Sequence, residues 1–241
     1  MQKRVEAYEN RIRRETEEKE GLLKDIEETQ DLKLMPLRYH KDRLLRTADF
    51  SLRYCDAAAN AVRNVTFELK NGDRIALDGA NGCGKTSLVK AILACNKDSE
   101  AVSSDYGTTG ILEVPRNLII SYISQDTSHL KGSLRDFARE KKLDYTLMLA
   151  LLRQLDFERV LFDKDMELYS EGQKKKVLIA SSLLTPAHLY IWDEPLNYID
   201  VYTRMQIEKL LLAFQPTMLF VEHDVRFKET IATGVLHMER N

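Results

Sequence analysis

Gly79-Ala80-Asn81-Gly82-Cys83-Gly84-Lys85-Thr86 is a complete G-x-x-x-x-G-K-T stretch. It lies between a run that reads as a strand, Arg74–Leu77, and one that reads as a helix, Thr86–Ala94. A glycine-rich turn in this setting lets successive backbone N–H groups converge on an anion, and the following helix adds the partial positive charge of its N-terminus. Gly79, Ala80, Asn81, Gly82, Cys83, Gly84 and Ser87 then form the walls of a phosphate cradle. Lys85 reaches the β- and γ-phosphates of a nucleotide, and the Thr86 hydroxyl completes a Mg²⁺ shell.

The chain on either side supplies a sheet for that loop to sit on. Leu189-Tyr190-Ile191-Trp192, Met218-Leu219-Phe220-Val221 and Val235-Leu236-His237-Met238 are short apolar runs separated by helical stretches. Such runs suit strands buried on both faces of a parallel sheet. The first of them ends in Asp193-Glu194, and the carboxyl end of a strand is where open α/β sheets bind ligands. Asp193 would hold Mg²⁺ through the metal's water shell, and Glu194 would orient or deprotonate the attacking water. Before the loop, Phe50–Tyr54 and Val65–Leu69 alternate as half-buried antiparallel strands do, and Asn71-Gly72 marks a turn. A strand pair is expected near 110–122 and a mostly helical stretch over about 133–163.

Bulk properties exclude more than they select. The 241 residues carry 36 basic and 38 acidic side chains, so overall charge favours no partner. No run approaches the ~18 apolar residues of a membrane span, and a terminus charged from Lys3 onward lacks a secretory signal's apolar core. Cys55, Cys83 and Cys95 show no C-x-x-C spacing, which points away from disulfide and zinc frameworks and toward a reduced, cytoplasmic protein. Cys83, close to cationic groups in the loop, is expected to gain thiolate character.

Residues 1–38 differ in kind from the rest and read as a charged helical linker segment. Val5, Tyr8, Ile12, Leu22, Leu23 and Ile26 make one narrow stripe on a solvated helix, with Pro36 near its end. Its charge is segmented: five basic against two acidic residues over 1–14, two against eight over 15–31, five against one over 33–46. Either this is an ordinary charged helix, or its basic ends meet phosphates.

Ser170-Glu171-Gly172-Gln173 opens a helix about twenty residues before the carboxylate strand. Alone it reads as a serine N-cap with an acid in the first turn. Lys174, Lys175 and Lys176 crowd that helix's positive end, a cost that a nearby anion would relieve or that solvent would absorb. Taken with the loop and the carboxylates, the chain resembles the ATP-binding cassette (ABC) superfamily over roughly residues 47–240. The resemblance implies an α/β P-loop NTPase fold of the ABC type, with an antiparallel β subdomain and a helical subdomain near 127–172, within a cassette spanning 39–241. It also implies ATP and Mg²⁺ as ligands and assigns further residues. Ser170, Gly172 and Gln173 would contact the nucleotide of an opposing cassette. Gln125 would sense metal and water, His223 would meet the γ-phosphate, Asn197 and Asp200 would lie in the loop that crosses to the other cassette, and Tyr54 would stack on adenine.

The leading charged helix further resembles the linker of ABC-F proteins, soluble tandems of two cassettes. The stretches Ile120–Leu130, Tyr169–Lys176 and Tyr190–Asn197 resemble the Lsa and Vga type, whose members protect the bacterial ribosome against lincosamides, streptogramins A and pleuromutilins. That resemblance implies a ribosomal partner, with rRNA and tRNA contacts made by the linker. The sequence holds one phosphate loop, one signature and one carboxylate pair where the family uses two of each, so a homodimer or a missing N-terminal half must supply the second cassette. Glu171 also stands where glycine is usual. The alternatives are the ATPase subunit of a membrane transporter and a truncated module that binds ATP with little turnover.

Overall fold

A computed structural model describes residues 36–55, 59–97 and 106–239, so the proposed linker helix lies almost wholly outside the described residues. The frame is a five-stranded parallel sheet. Its strands are β3 (Arg74–Asp78), β5 (Ile120–Ile123), β6 (Leu189–Asp193), β7 (Met218–Val221) and β8 (Gly234–His237), in the order β5-β6-β7-β3-β8. Both β6 and β7 are buried along their whole length, which explains their unbroken apolar sequence.

Alternation along these strands divides the core into two layers. Leu189, Ile191, Leu219 and Val221 pack on one face with Leu88, Val89 and Ile92 of α1 (Lys85–Lys97). Tyr190, Trp192, Met218 and Phe220 face the opposite layer. That layer contains α2 (Leu134–Glu140), α3 (Tyr145–Gln154), α4 (Glu171–Leu184), α5 (Val201–Phe214) and α6 (Val225–Ile231). Each fully buried aliphatic side chain contributes about 1.5–3 kcal/mol of apolar transfer free energy. Trp192 is fully buried, and its indole Nε1–H donates to Ser182 Oγ at 2.9 Å; Ser182 in turn shares a hydrogen bond with Ser121 Oγ at 2.8 Å.

A second sheet, antiparallel, lies over α1. It consists of β1 (Arg43–Tyr54), β2 (Val62–Lys70) and β4 (Tyr106–Glu113), ordered β2-β1-β4. The 12-residue β1 is irregular around Asp49, which sits at φ +48° and whose N–H is taken by Thr66 Oγ1 at 2.8 Å. Gly110 of β4 passes that irregularity so closely that a Cβ would lie 2.3 Å from the Asp49 carbonyl oxygen.

One expectation is corrected here. The segment near 110–122 is not a strand pair, because β4 joins the antiparallel sheet and β5 the parallel one. Pro115 opens the turn between them, and the Asn96 side-chain amide donates to the carbonyls of Pro115 and Leu118, pinning the crossover to α1. The mostly helical stretch expected over about 133–163 is present, divided into short helices. Ser133 caps α2 and Asp144 caps α3, while Lys142 and Asp156, both at φ +55°, end them, and only short 3₁₀ turns follow at 159–161 and 166–168.

Candidate functional site

The phosphate loop joins the end of β3 to α1. Gly79, Gly82 and Gly84 have φ of +151°, +81° and +97°, conformations that L side chains rarely adopt. Gly84 is constrained twice over, since a Cβ there would fall 1.8 Å from the carbonyl oxygen of Ala61. The Lys85 ammonium is buried inside the loop and donates to the carbonyls of Gly79 at 2.7 Å and Ala80 at 3.3 Å. An α1 first turn without acidic residues leaves this end of the molecule suited to an anion.

A cavity of about 410 Å³ opens over the loop. Asn81, Gly82, Gly84, Lys85, Thr86 and Ser87 form its floor, and Tyr54, Ala61, Gln125 and Glu194 form its walls. Tyr54 is oriented by a 2.9 Å hydrogen bond between its hydroxyl and Ser87 Oγ and by an edge-on contact with Tyr106. Its ring therefore borders the cavity from the antiparallel sheet. Ala61 carried no sequence signal, because its part is played by a backbone carbonyl.

At the end of β6 two adjacent carboxylates occupy opposite environments. Asp193 is 1 % exposed, and neither of its carboxylate oxygens has a hydrogen-bond partner of ordinary geometry. Burial pushes its pKa up and the neighbouring Glu194 adds to that, against the pull of Thr86, Lys175 and Lys85. An orphaned buried carboxylate beside a threonine hydroxyl at the phosphate loop fits a hydrated divalent cation, whose charge would reverse this cost. Among the described residues no group of three or more His, Cys, Asp or Glu could hold a metal by itself. Any cation here would thus lean on phosphate and water oxygens. Thr86, Gln125 and Asp193 are the side chains that could complete its shell.

Glu194 is half-buried and reaches into the cavity. Its Oε2 accepts from Asn197 Nδ2 at 2.9 Å, and its Oε1 lies 3.3 Å from His223 Nε2. The backbone at Glu194 is left-handed, φ +51°, as is that of Tyr198 at +66°. Non-glycine residues in this region are strained by about 1–3 kcal/mol and persist only when their surroundings hold them. Asn197 and His223 thus meet at Glu194, which alone of the three lines the cavity over the loop.

The serine-led motif lies apart from this cavity. Ser170 caps α4 through a capping box, its Oγ accepting the Gln173 N–H at 3.3 Å while Gln173 Oε1 accepts the Ser170 N–H at 2.9 Å. A Cβ on Gly172 would meet the Tyr198 carbonyl oxygen at 2.5 Å, so glycine is needed there for packing within the chain. Asp200 caps α5 through Thr203 and pairs with Lys176 Nζ at 3.1 Å. Burial opposes its ionisation, yet the hydrogen bonds from Thr203 and Lys176 win and hold its pKa down at about 2.

Two sequence expectations fail here. The lysines after Gln173 neither await an anion nor form a solvated patch. Lys174 pairs with Glu171 at 3.0 Å, Lys176 with Asp200 and the Asp156 carbonyl, and buried Lys175 donates to the carbonyls of Ser124 and Gln125 at 3.0 and 3.2 Å. Cys83 is 2 % exposed and faces the core, not the anion. Glu171 is engaged within the chain: the Thr127 hydroxyl donates to it at 2.7 Å, and with Lys174 holds its carboxyl below the usual range. Lys175 was missed as a member of the site, although its place four residues before Ile179 on the buried face of α4 was a usable signal.

Similarity to known proteins agrees with this geometry. Residues 62–197 match the family model described as ABC transporter. The chain is 30% identical over 190 residues to ATP-binding protein Uup of Buchnera aphidicola subsp. Acyrthosiphon pisum, covering 75% of this chain and 30% of that protein. It is 25% identical over 184 residues to ABC transporter F family member 5 of Arabidopsis thaliana, covering 73% and 25% respectively. The chain thus spans under a third of the length of these relatives. In fold it matches MJ0796, a bacterial ABC transporter cassette solved as a dimer, with a TM-score of 0.64 at 17% identity over 81% of this chain and 94% of that one. It also matches a metal-chelate-type ABC transporter in an inward-facing conformation, with a TM-score of 0.61 at 22% identity over 82% and 80%. Among the described residues no helix is long and apolar enough to cross a membrane. A glycine loop closed on a buried lysine, carboxylates at the neighbouring strand end and a family match across 62–197 together establish that the chain belongs to the ABC transporter family, as its ATP-binding domain.

Proposed function

We propose that the chain binds and hydrolyses ATP as one half of a pair of cassettes, within an ABC-F protein that acts on the bacterial ribosome. The observation that carries the reading is the placement of Glu194. It reaches the cavity over Lys85 and is held by Asn197 and His223 on a strained backbone, the environment expected of a base kept in one position. In this mechanism the loop amides and Lys85 hold the phosphates. Glu194 takes the proton of the attacking water, and His223 orients Glu194 and the γ-phosphate. Thr86, Gln125 and, through water, Asp193 would hold a Mg²⁺ ion, which would supply neutralisation of the phosphate charge.

The second cassette is a homodimer partner or a missing N-terminal half. This chain's Ser170, Gly172 and Gln173 would close over the nucleotide of that cassette, and Asn197 and Asp200 would lie at the crossing loop. Tyr198, Val201 and Tyr202, exposed around that loop, suit burial against such a partner. Kinship with relatives named ABC transporter F family, the charged leading segment and the Lsa- and Vga-like stretches favour ribosomal protection against lincosamides, streptogramins A or pleuromutilins.

Replacing Glu194 by Gln should leave ATP binding intact and lower turnover by ~10²–10⁴. The same variant should co-sediment with bacterial 70S ribosomes in ATP more strongly than the parent chain. Unchanged turnover would remove the hydrolytic role, and ATP-independent sedimentation would remove the ribosomal one. Trp192, which adjoins Asp193, gives an independent binding signal: its emission should change on titration with MgATP.

A further inference from the structure

Glu222, at the end of β7, is 4 % exposed, and its carboxylate is fully engaged with backbone. Oε1 accepts the Leu196 N–H at 2.9 Å, and Oε2 accepts the N–H of His223 at 3.0 Å. Their positions matter. Glu194 donates its own N–H to the Val221 carbonyl at 3.0 Å, and its left-handed backbone leads directly into Pro195. Proline has no N–H, so Leu196 carries the first donor beyond the strained residue. That donor points inward at a buried place where water is scarce, and leaving it unmade would be costly. The second oxygen fixes the backbone of the histidine whose ring stands 3.3 Å from Glu194.

We infer that Glu222 is a positioning residue for hydrolysis: one buried carboxylate fixes the turn after Glu194 and the start of the His223 loop, setting the separation of the two side chains. It acts through them and does not line the nucleotide cavity. Burial pushes the Glu222 pKa up, against the pull first of the Leu196 and His223 N–H groups and then of Arg204, whose guanidinium also pairs with Asp224. A carboxylate is required because both partners are donors. The amide of a glutamine of the same shape can accept only one of them and must turn an N–H toward the other.

This inference rests on the hydrolytic reading above, and the test separates the two. Turnover and ATP affinity are measured for the parent chain, E194Q, E222Q and the double variant. We expect E222Q to lose roughly tenfold in kcat, in line with one charge-assisted hydrogen bond, with KM for ATP unchanged within about twofold. The double variant should turn over within about twofold of E194Q alone, because Glu222 works through Glu194. Full turnover in E222Q, a rise in KM with kcat preserved, or an additive further loss in the double variant would overturn the assignment. Full turnover in E194Q would instead overturn the hydrolytic reading, and the inference with it. A measurement on the parent chain stands apart from the folding of any variant: the Leu196 and His223 amides should exchange with solvent at least about tenfold more slowly than the Asn197 amide. Equal rates would overturn the proposal.

Discussion

Two helices in this protein begin with the same kind of punctuation and do opposite things with it. The first turn of α1 carries Lys85 and no acid, follows three left-handed glycines and faces an open cavity. The first turn of α4 carries Glu171 and is closed by its own Ser170–Gln173 box. Both helix ends have the partial positive charge that draws anions. One offers it outward, whereas the other is largely satisfied within the chain. For a nucleotide held by the same chain, the pair teaches that a serine- or glycine-led helix start is not in itself a binding site; what decides is whether its donors are already met and whether it faces the cavity.

The sharpest way to break this comparison is Gly84→Ala. The left-handed backbone alone costs about 1–3 kcal/mol, and the new methyl cannot share space with the Ala61 carbonyl 1.8 Å away. Nucleotide binding should be lost and the melting temperature should fall by at least ~2–4 °C, as read by calorimetry with and without MgATP. A variant that still binds would show that the loop is less rigid than described.

Next in size is Lys85→Ala, which should weaken ATP binding by on the order of 10–100-fold through the loss of charge-assisted hydrogen bonds to phosphate. Equilibrium binding followed by Trp192 emission measures it. Retained affinity would mean that the cradle works without its cation. The matching change at the other helix, Ser170→Ala, should cost only about 1 kcal/mol of stability, the usual worth of an N-cap. It should leave the affinity of a single chain for ATP unaltered. A large drop in that affinity would place the serine in its own chain's site and erase the contrast.

The smallest effect concerns pH. The Asp200 pKa is depressed to about 2, so the stability it contributes is fully present above its ordinary value of 3.8 and is lost as pH falls toward 2. Asp200→Asn should flatten the acid-unfolding curve between about pH 4 and pH 2 and leave it parallel to the parent above that. The change should be modest, because the carboxylate is half exposed and its pairing with Lys176 is screened.

The parts of the molecule legible in its sequence are those that depend on local chemistry. Glycines at 79, 82 and 84 announced a backbone that only glycine adopts readily, and the unbroken apolar runs of β6 and β7 announced strands buried on both faces. Illegible were features that depend on a partner distant in the chain. Nothing near Lys175 says that its charge will be met by the carbonyls of Ser124 and Gln125, fifty residues away. The core position of Cys83 is fixed by packing from other elements, and the crossover after Glu113 is decided by which sheet has a free edge. Asp193 and Glu194 are a mixed case. Their adjacency was plain, but the division between an orphaned, buried carboxylate and a bonded, accessible one required the neighbours of each.

Not one methyl group fits between Gly172 and the main chain at Tyr198. Contact that close ties the serine-bearing turn to the loop beyond the carboxylates, and the two are expected to travel together. A push on either from outside would be delivered to the other at full stroke, like two teeth on a single gear.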